Sequence, residues 1–134
     1  MSNQVVCRVV ENTQVQVSTE RHSWIADEPA ELKGDGLGPN PFDHLLAALG
    51  TCTALEVSLT AAHAKVPLEL TQVEVTGEWD RDGDKPRYRI RRTVRVRGRI
   101  EDPDVERIRR WAEKCPVGHI LEKGALLETA VERL

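Results

Sequence analysis

Three observations predict an α+β fold for this chain. Short runs of β-branched residues lie near the N-terminus, a long apolar stretch at helical spacing occupies the middle, and two alternating segments joined by a turn-rich hexapeptide follow it. With 134 residues there is room for one real core, so a single domain over residues 1–134, and a single site, are expected.

The first element is Val5 to Val10, rich in β-branched residues. After the break at Glu11-Asn12-Thr13, Val15 and Val17 alternate with polar neighbours. Arg21 to Ala26 reads as a third strand, completing an N-terminal meander. Pro29, Gly34, Gly36, Gly38, Pro39 and Pro41 then make a long loop, a length often kept for function. Asn40-Pro41 starts a helix, because Asn caps free N–H groups and Pro is tolerated in the first turn. From Phe42 to about Ala64, residues Leu45, Leu49, Cys52, Leu55 or Glu56, and Leu59 recur at helical spacing. Ala47, Ala48, Gly50 and Ala54 keep this central helix thin, so that another backbone can approach it closely.

Thr71 to Asp80 and Arg87 to Ile100 each alternate with the period of a strand that has one wet face. The turn Arg81-Asp82-Gly83-Asp84-Lys85-Pro86 joins them into a long hairpin. Asp102-Pro103 opens a helix carrying Val105, Ile108 and Trp111, which ends near Cys115-Pro116, since proline disfavours helical geometry in the residue before it. Pro116 to Lys123 is a short helix stopped by Gly124, and Ala125 to Arg133 is read as a last strand.

Charged residues make up 31% of the chain, yet the net charge is only −3, with a pI near 5.8. No global field draws such a protein to nucleic acid or to an anionic membrane. The N-terminal residues lack the apolar run of a signal peptide, and the longest apolar stretch, Leu45 to Gly50, falls short of the roughly 18 residues of a spanning helix, so a cytoplasmic location is expected. Arg87 to Arg99 holds seven arginines. With the turn centred near Gly83-Asp84, Asp80 falls opposite Arg87 and Glu78 opposite Arg89, which makes the basic strand one side of a solvated ladder. No aromatic residues are interleaved on that face to stack on bases.

The chemistry-bearing residues left are Cys7, Cys52 and Cys115. Cys7 lies in a strand and reads as structural filler, and a core filler is also the plain alternative for Cys52. Cys115 precedes Pro116 at a helix start, where free N–H groups and the helix dipole favour a thiolate. Cys52, in mid-helix, gains little from the dipole and needs a cation or donor brought from elsewhere; Arg21 or His22 are the candidates. His119 follows Cys115 by four, which raises a Cys52, Cys115 and His119 metal site as an alternative. His44 and His63 have no spacing partner.

The stretch from Gly38 to Ala54, GPNPFDHLLAALGTCTA, resembles the central-helix signature of the OsmC/Ohr superfamily. Ala112-Glu113-Lys114-Cys115-Pro116-Val117 resembles the family's second cysteine motif, and the two occur in the expected order. The likeness extends from about Arg21 to the C-terminus. It implies an OsmC/Ohr-like fold in which two chains intertwine as a homodimer around their central helices. It also implies a peroxidase: Cys52 attacks a hydroperoxide and becomes a sulfenic acid, Cys115 closes a disulfide with it, and an external dithiol reduces the pair, with no metal or cofactor. Peroxidase members carry a glutamate directly after the proline that corresponds to Pro41, paired with the activating arginine. Here Phe42 and then Asp43 stand there, so Asp43 or Glu56 is the candidate replacement. In this respect the chain resembles the less characterised OsmC-like branch, and a ligand-binding or redox-sensing module without peroxidase activity is the alternative reading.

Overall fold

The computed structural model describes residues 2–134. They form two compact units, Met1–Ala47 and Ala48–Leu134.

In the first unit, β1 (Val6–Glu11), β2 (Gln14–Ser18) and β3 (Ser23–Ala26) form an antiparallel meander, with Cys7 opposite Val17 and Val17 opposite Trp24. The third strand begins at Ser23 rather than Arg21, because Thr19 closes a turn ahead of it. The Thr19 N–H donates to the His22 carbonyl at 2.8 Å, and the Thr19 hydroxyl accepts the His22 N–H at 3.0 Å. The following loop is organised by one carboxylate. Asp27 is buried and accepts the Thr13 hydroxyl and the backbone N–H groups of Glu28, Asp35 and Leu37. Those bonds, the Thr13 hydroxyl foremost, outweigh burial and hold the carboxyl below its ordinary range.

Helix α1 (Pro41–His63) starts as expected at Asn40. Its side chain accepts the Asp43 N–H at 2.9 Å while Asp43 accepts the Asn40 N–H at 3.0 Å, a reciprocal cap. In the first turn the Trp24 indole N–H donates to His44 Nε2 at 2.7 Å, so His44 Nδ1 carries the proton and faces the Asn40 carbonyl at 2.7 Å. The helix ends with Lys65 in the left-handed region (φ 59°), while the Val66 and Lys65 N–H groups return to the carbonyls of Ala61 and Ala62.

By length and mean hydropathy α1 is long and apolar enough to cross a membrane, contrary to the estimate from its longest unbroken apolar run. Small Ala, Gly, Thr, Ser and Cys residues interrupt that run without making the helix polar. Its Leu49, Thr53, Val57 and Ala61 edge is nevertheless buried within the protein.

In the second unit, β4 (Leu68–Asp80) and β5 (Arg87–Gly98) make the hairpin, with Asp80 opposite Arg87 and Glu78 opposite Arg89 as the alternation predicts. Helix α2 (Asp102–Glu113) is capped reciprocally by Glu101 and Asp104, and α3 (Pro116–Lys123) follows. The core joins Val57, Ala61 and Val66 to Ile108, Trp111 and Ala112, with Val94 and Val96 of β5 packed against them.

The predicted last strand does not form. Residues 124–134 carry no regular structure, and Leu126, Leu127 and Val131 are almost wholly exposed. A strand is stabilised by a ladder partner, and this segment pairs with neither sheet. Its adjacent leucines also define no single apolar face.

Candidate functional site

Cys52 lies at mid-helix on α1, half-buried and next to the inward-facing Thr53. Cys115 is the residue before α3, entirely buried at 0% exposure. Its backbone is extended (φ −55°, ψ 121°), the geometry the following proline favours, so the chain turns sharply and α3 starts against α1. The two sulfurs stand within hydrogen-bonding reach of each other. The first N–H groups of α3 have no carbonyl to receive them inside the helix, and they serve the sulfurs instead. The Val117 N–H reaches both Cys52 and Cys115, and the Gly118 N–H reaches Cys115.

This arrangement drives the two thiols apart. Burial pushes the Cys52 thiol up, and the hydrogen bond with Cys115 and the negative charge of Glu56 push the same way. Burial also opposes ionisation of Cys115, but the Cys52 thiol, the Gly118 N–H, the Thr53 hydroxyl and the Val117 N–H together lower its pKa below the ordinary value of 9.0. Of the two, Cys115 is the thiol whose ionisation its neighbours favour, in the direction expected of a cysteine at a helix start.

A cation reaches this network from β5. Arg92 of β5 is half-buried and donates through Nη1 to Thr53 Oγ1 at 3.0 Å. It occupies an apolar position of the β5 alternation, between Ile90 and Val94, out of phase with the arginines of the wet face. That break of phase is the signal that marks it. On one side it lines a cavity of about 200 Å³ with Leu49, Tyr88, Ile90 and Leu121, and on the other a larger one of about 640 Å³ with Val94, Val96 and Ile108.

The remaining candidates fall elsewhere. Arg21 and His22 sit in the exposed turn between β2 and β3 of the first unit. Asp43 is the partner of Asn40 in the α1 cap. Glu56 is half-buried one turn beyond Cys52 and accepts the Thr60 hydroxyl at 3.4 Å; its charge discourages a Cys52 thiolate rather than promoting one. Among the described residues no three His, Cys, Asp or Glu side chains converge, so Cys52, Cys115 and His119 do not form a metal-binding group. The His119 backbone N–H instead donates to the Cys115 carbonyl at 3.1 Å. Cys7 is exposed on β1, not the buried filler its strand position suggested.

A central helix bearing one cysteine, a hairpin and a second cysteine at the start of a short helix define a thiol-pair protein of α+β architecture. A family model for OsmC-like proteins matches residues 34–130, and the chain belongs to that family. No curated protein matches it. Among solved structures it is similar to an OsmC-like protein from Mycoplasma pneumoniae (TM-score 0.79, 16% identity, covering 92% of this chain and 89% of that one). It is similar also to an organic hydroperoxide resistance protein OsmC from Legionella pneumophila (TM-score 0.71, 18% identity, 92% and 90% covered). A third likeness is to an organic hydroperoxide resistance protein from Elizabethkingia anophelis, solved with thiocyanate bound (TM-score 0.72, 14% identity, 92% and 90% covered). At these identities the likeness establishes the OsmC/Ohr fold.

Proposed function

We propose that the protein reduces organic hydroperoxides through Cys52 and Cys115. The observation that carries this reading is the contact between the two sulfurs, one half-exposed and the other wholly buried at a helix start. A peroxide can reach Cys52 but not Cys115, whereas the neighbours of the pair favour ionisation at Cys115. The reaction therefore begins with transfer of the Cys52 proton to Cys115 along their hydrogen bond. The Cys52 thiolate attacks the outer peroxide oxygen, the O–O bond breaks, and the departing alkoxide takes the proton from Cys115 and leaves as an alcohol. Cys52 is now a sulfenic acid and Cys115 a thiolate again. The Cys115 sulfur attacks the Cys52 sulfur, hydroxide leaves and is protonated to water, and an external dithiol reduces the resulting disulfide.

Two further assignments belong to this reading. The protein acts as a homodimer, in which the exposed apolar groups of α1 (Leu55, Leu59) and of residues 124–134 are covered by the partner. Arg21 joins the site as a second cation in the assembled protein, in keeping with the family likeness. The rival reading is a ligand-binding or redox-sensing module, favoured by Phe42 in place of the family glutamate and by the cavity beside Arg92, walled by Leu49, Ile90 and Leu121.

One equivalent of cumene hydroperoxide followed by mass spectrometry separates the two. Loss of two protons in a Cys52–Cys115 disulfide, absent in Cys52→Ser, supports peroxidase chemistry. Unchanged thiols, or a Cys52→Ser protein that consumes peroxide as fast as the parent, rule it out in favour of the module.

A further inference from the structure

Arg92 is the odd member of the dry side of β5. Tyr88, Ile90, Val94 and Val96 share its phase, and a cation among them loses hydration that a carboxylate partner would ordinarily replace. Among the described residues it has no such partner. Arg89, Arg91, Arg95 and Arg97 on the wet side each hold an acid, whereas Arg92 holds only the Thr53 hydroxyl, through Nη1 at 3.0 Å. A guanidinium carries more N–H donors than that one bond uses. Every buried side-chain nitrogen or oxygen among the described residues has a partner, so the unpaired Nε and Nη2 of Arg92 are open to solvent. The space they open to is that of the two cavities Arg92 borders.

The smaller cavity suits an occupant for that donor edge. Leu49 of α1, Ile90 of β5 and Leu121 of α3 give it aliphatic walls around a volume of about 200 Å³. Gly118 completes the cradle. A Cβ there would stand 3.1 Å from Arg92 Nη1, 3.7 Å from Nη2 and 3.6 Å from a methyl of Leu49, so a side chain would take the corner where cation and apolar wall meet. A cavity of about 150 Å³ accepts a benzene ring, and the larger volume here leaves room for one planar substituent. The larger cavity adds no second free cation, because its Arg109 is held by Glu106 and Glu113. Glu122 borders both cavities from α3; it is exposed, makes no ion pair with Arg92 and repels a second negative charge.

We propose that the smaller cavity binds a small organic anion, a single carboxylate on an apolar body of about benzoate size, with the carboxylate seated on the free donor edge of Arg92. The planar fork of the guanidinium meets a carboxylate in parallel N–H···O bonds, and the aliphatic walls take the body out of water. Leu49 precedes Cys52 by one turn and Gly118 follows Cys115 by three residues, so the occupant lies beside the thiol pair. In that respect the inference extends the thiol-pair reading, but the binding itself uses neither sulfur.

The test is a ligand-observed NMR titration of the whole reduced protein with benzoate and hexanoate, against benzyl alcohol and hexanol as neutral counterparts. At least one of the two carboxylates should bind with a Kd of about 1 mM or tighter, the range for so few atoms. It should bind at least about tenfold more tightly than its alcohol, the scale of hydrogen bonds to a charged group. Arg92→Met should lower carboxylate affinity about tenfold and leave the alcohols unmoved. Arg92→Lys should recover only part of the loss, because the fork is gone, and Glu122→Gln should tighten binding about twofold. Arg95→Gln, on the wet face, should change nothing. Equal affinities for acid and alcohol overturn the proposal. So does a parent protein that binds neither carboxylate at about 10 mM, or an Arg95→Gln loss as large as that of Arg92→Met. If Arg92→Met does not fold, Leu121→Trp takes its place: it fills the cavity from the partly exposed face of α3 and leaves the guanidinium intact. Carboxylate binding should then vanish with the far-ultraviolet circular dichroism unchanged, and undiminished binding overturns the proposal. Because no peroxide is used, a protein without peroxidase activity still answers the question, and a failure here leaves the peroxidase reading standing.

Discussion

The two faces of β5 carry the same residue type to opposite ends. On the outer face Arg89, Arg91, Arg95 and Arg97 pair with Asp80, Glu78, Glu74 and Glu69, and most of these side chains are more than half exposed. On the inner face the single Arg92 is half-buried against Thr53 and the core. Solvent screens each outer pair, and the entropy of fixing two long side chains offsets what remains of the attraction. Inside, a donor lost is a donor that water cannot fully replace. The same guanidinium is therefore a solubilising group on one side of a strand and a chemical component on the other.

Substitutions sharpen that contrast. The largest effect is expected at the sulfurs themselves: Cys52→Ser should lower peroxide consumption by about 1,000-fold or more, measured with a coupled dithiol assay. Next comes the packing behind them. Trp111→Ala empties part of the core shared with Val57 and Ile108, and chemical denaturation should show a loss of about 3–5 kcal/mol.

Acidification gives a smaller and graded effect. The Cys115 pKa is depressed, so the stability that its ionised form contributes is present above the unfolded value near 9.0 and is lost as pH falls through the folded value. The peroxide rate should fall as pH drops through the Cys115 midpoint, which lies below 9.0, and by about tenfold per pH unit once beneath it. Cys52 has the opposite sign: its neutral form contributes below about 9.0, and that contribution fades as pH rises through its raised value. The smallest effect lies on the outer face. Arg95→Gln should change stability by less than about 0.5 kcal/mol, and a loss of several times that amount would break the contrast between the faces.

Local rules made much of this legible in advance. The Asn40 cap, the hairpin register at Asp80 and Arg87, and the acidic character of a cysteine before Pro116 each depend on neighbours in sequence or on a period of two, and the structure follows them. The misses depend on distance. Arg92 is one polar residue in an apolar phase, and only the fold shows that Thr53 waits beneath it. The segment after Gly124 reads as a last strand in sequence, but a strand is decided by what lies beside it. Arg21 and His22 are legible as candidate cations from their place before the loop, whereas no local rule names Arg92 of β5 as the donor to Thr53 within the second unit.

The hairpin's ion pairs are diagonal. Arg89 bonds Asp80 although Arg87 lies opposite it, and Arg91 bonds Glu78 although Arg89 does. A surface so repetitive would accept a slip of two residues almost without noticing, so it cannot choose among mispaired hairpins while the chain folds. That choice falls to the dry side, where Tyr88 lies over Gly77 and a slip of two residues would carry Arg92 about 7 Å along the strand, away from Thr53. Correct pairing of the strands and correct seating of Arg92 are thus one event: a misregistered chain has also misplaced its inner cation.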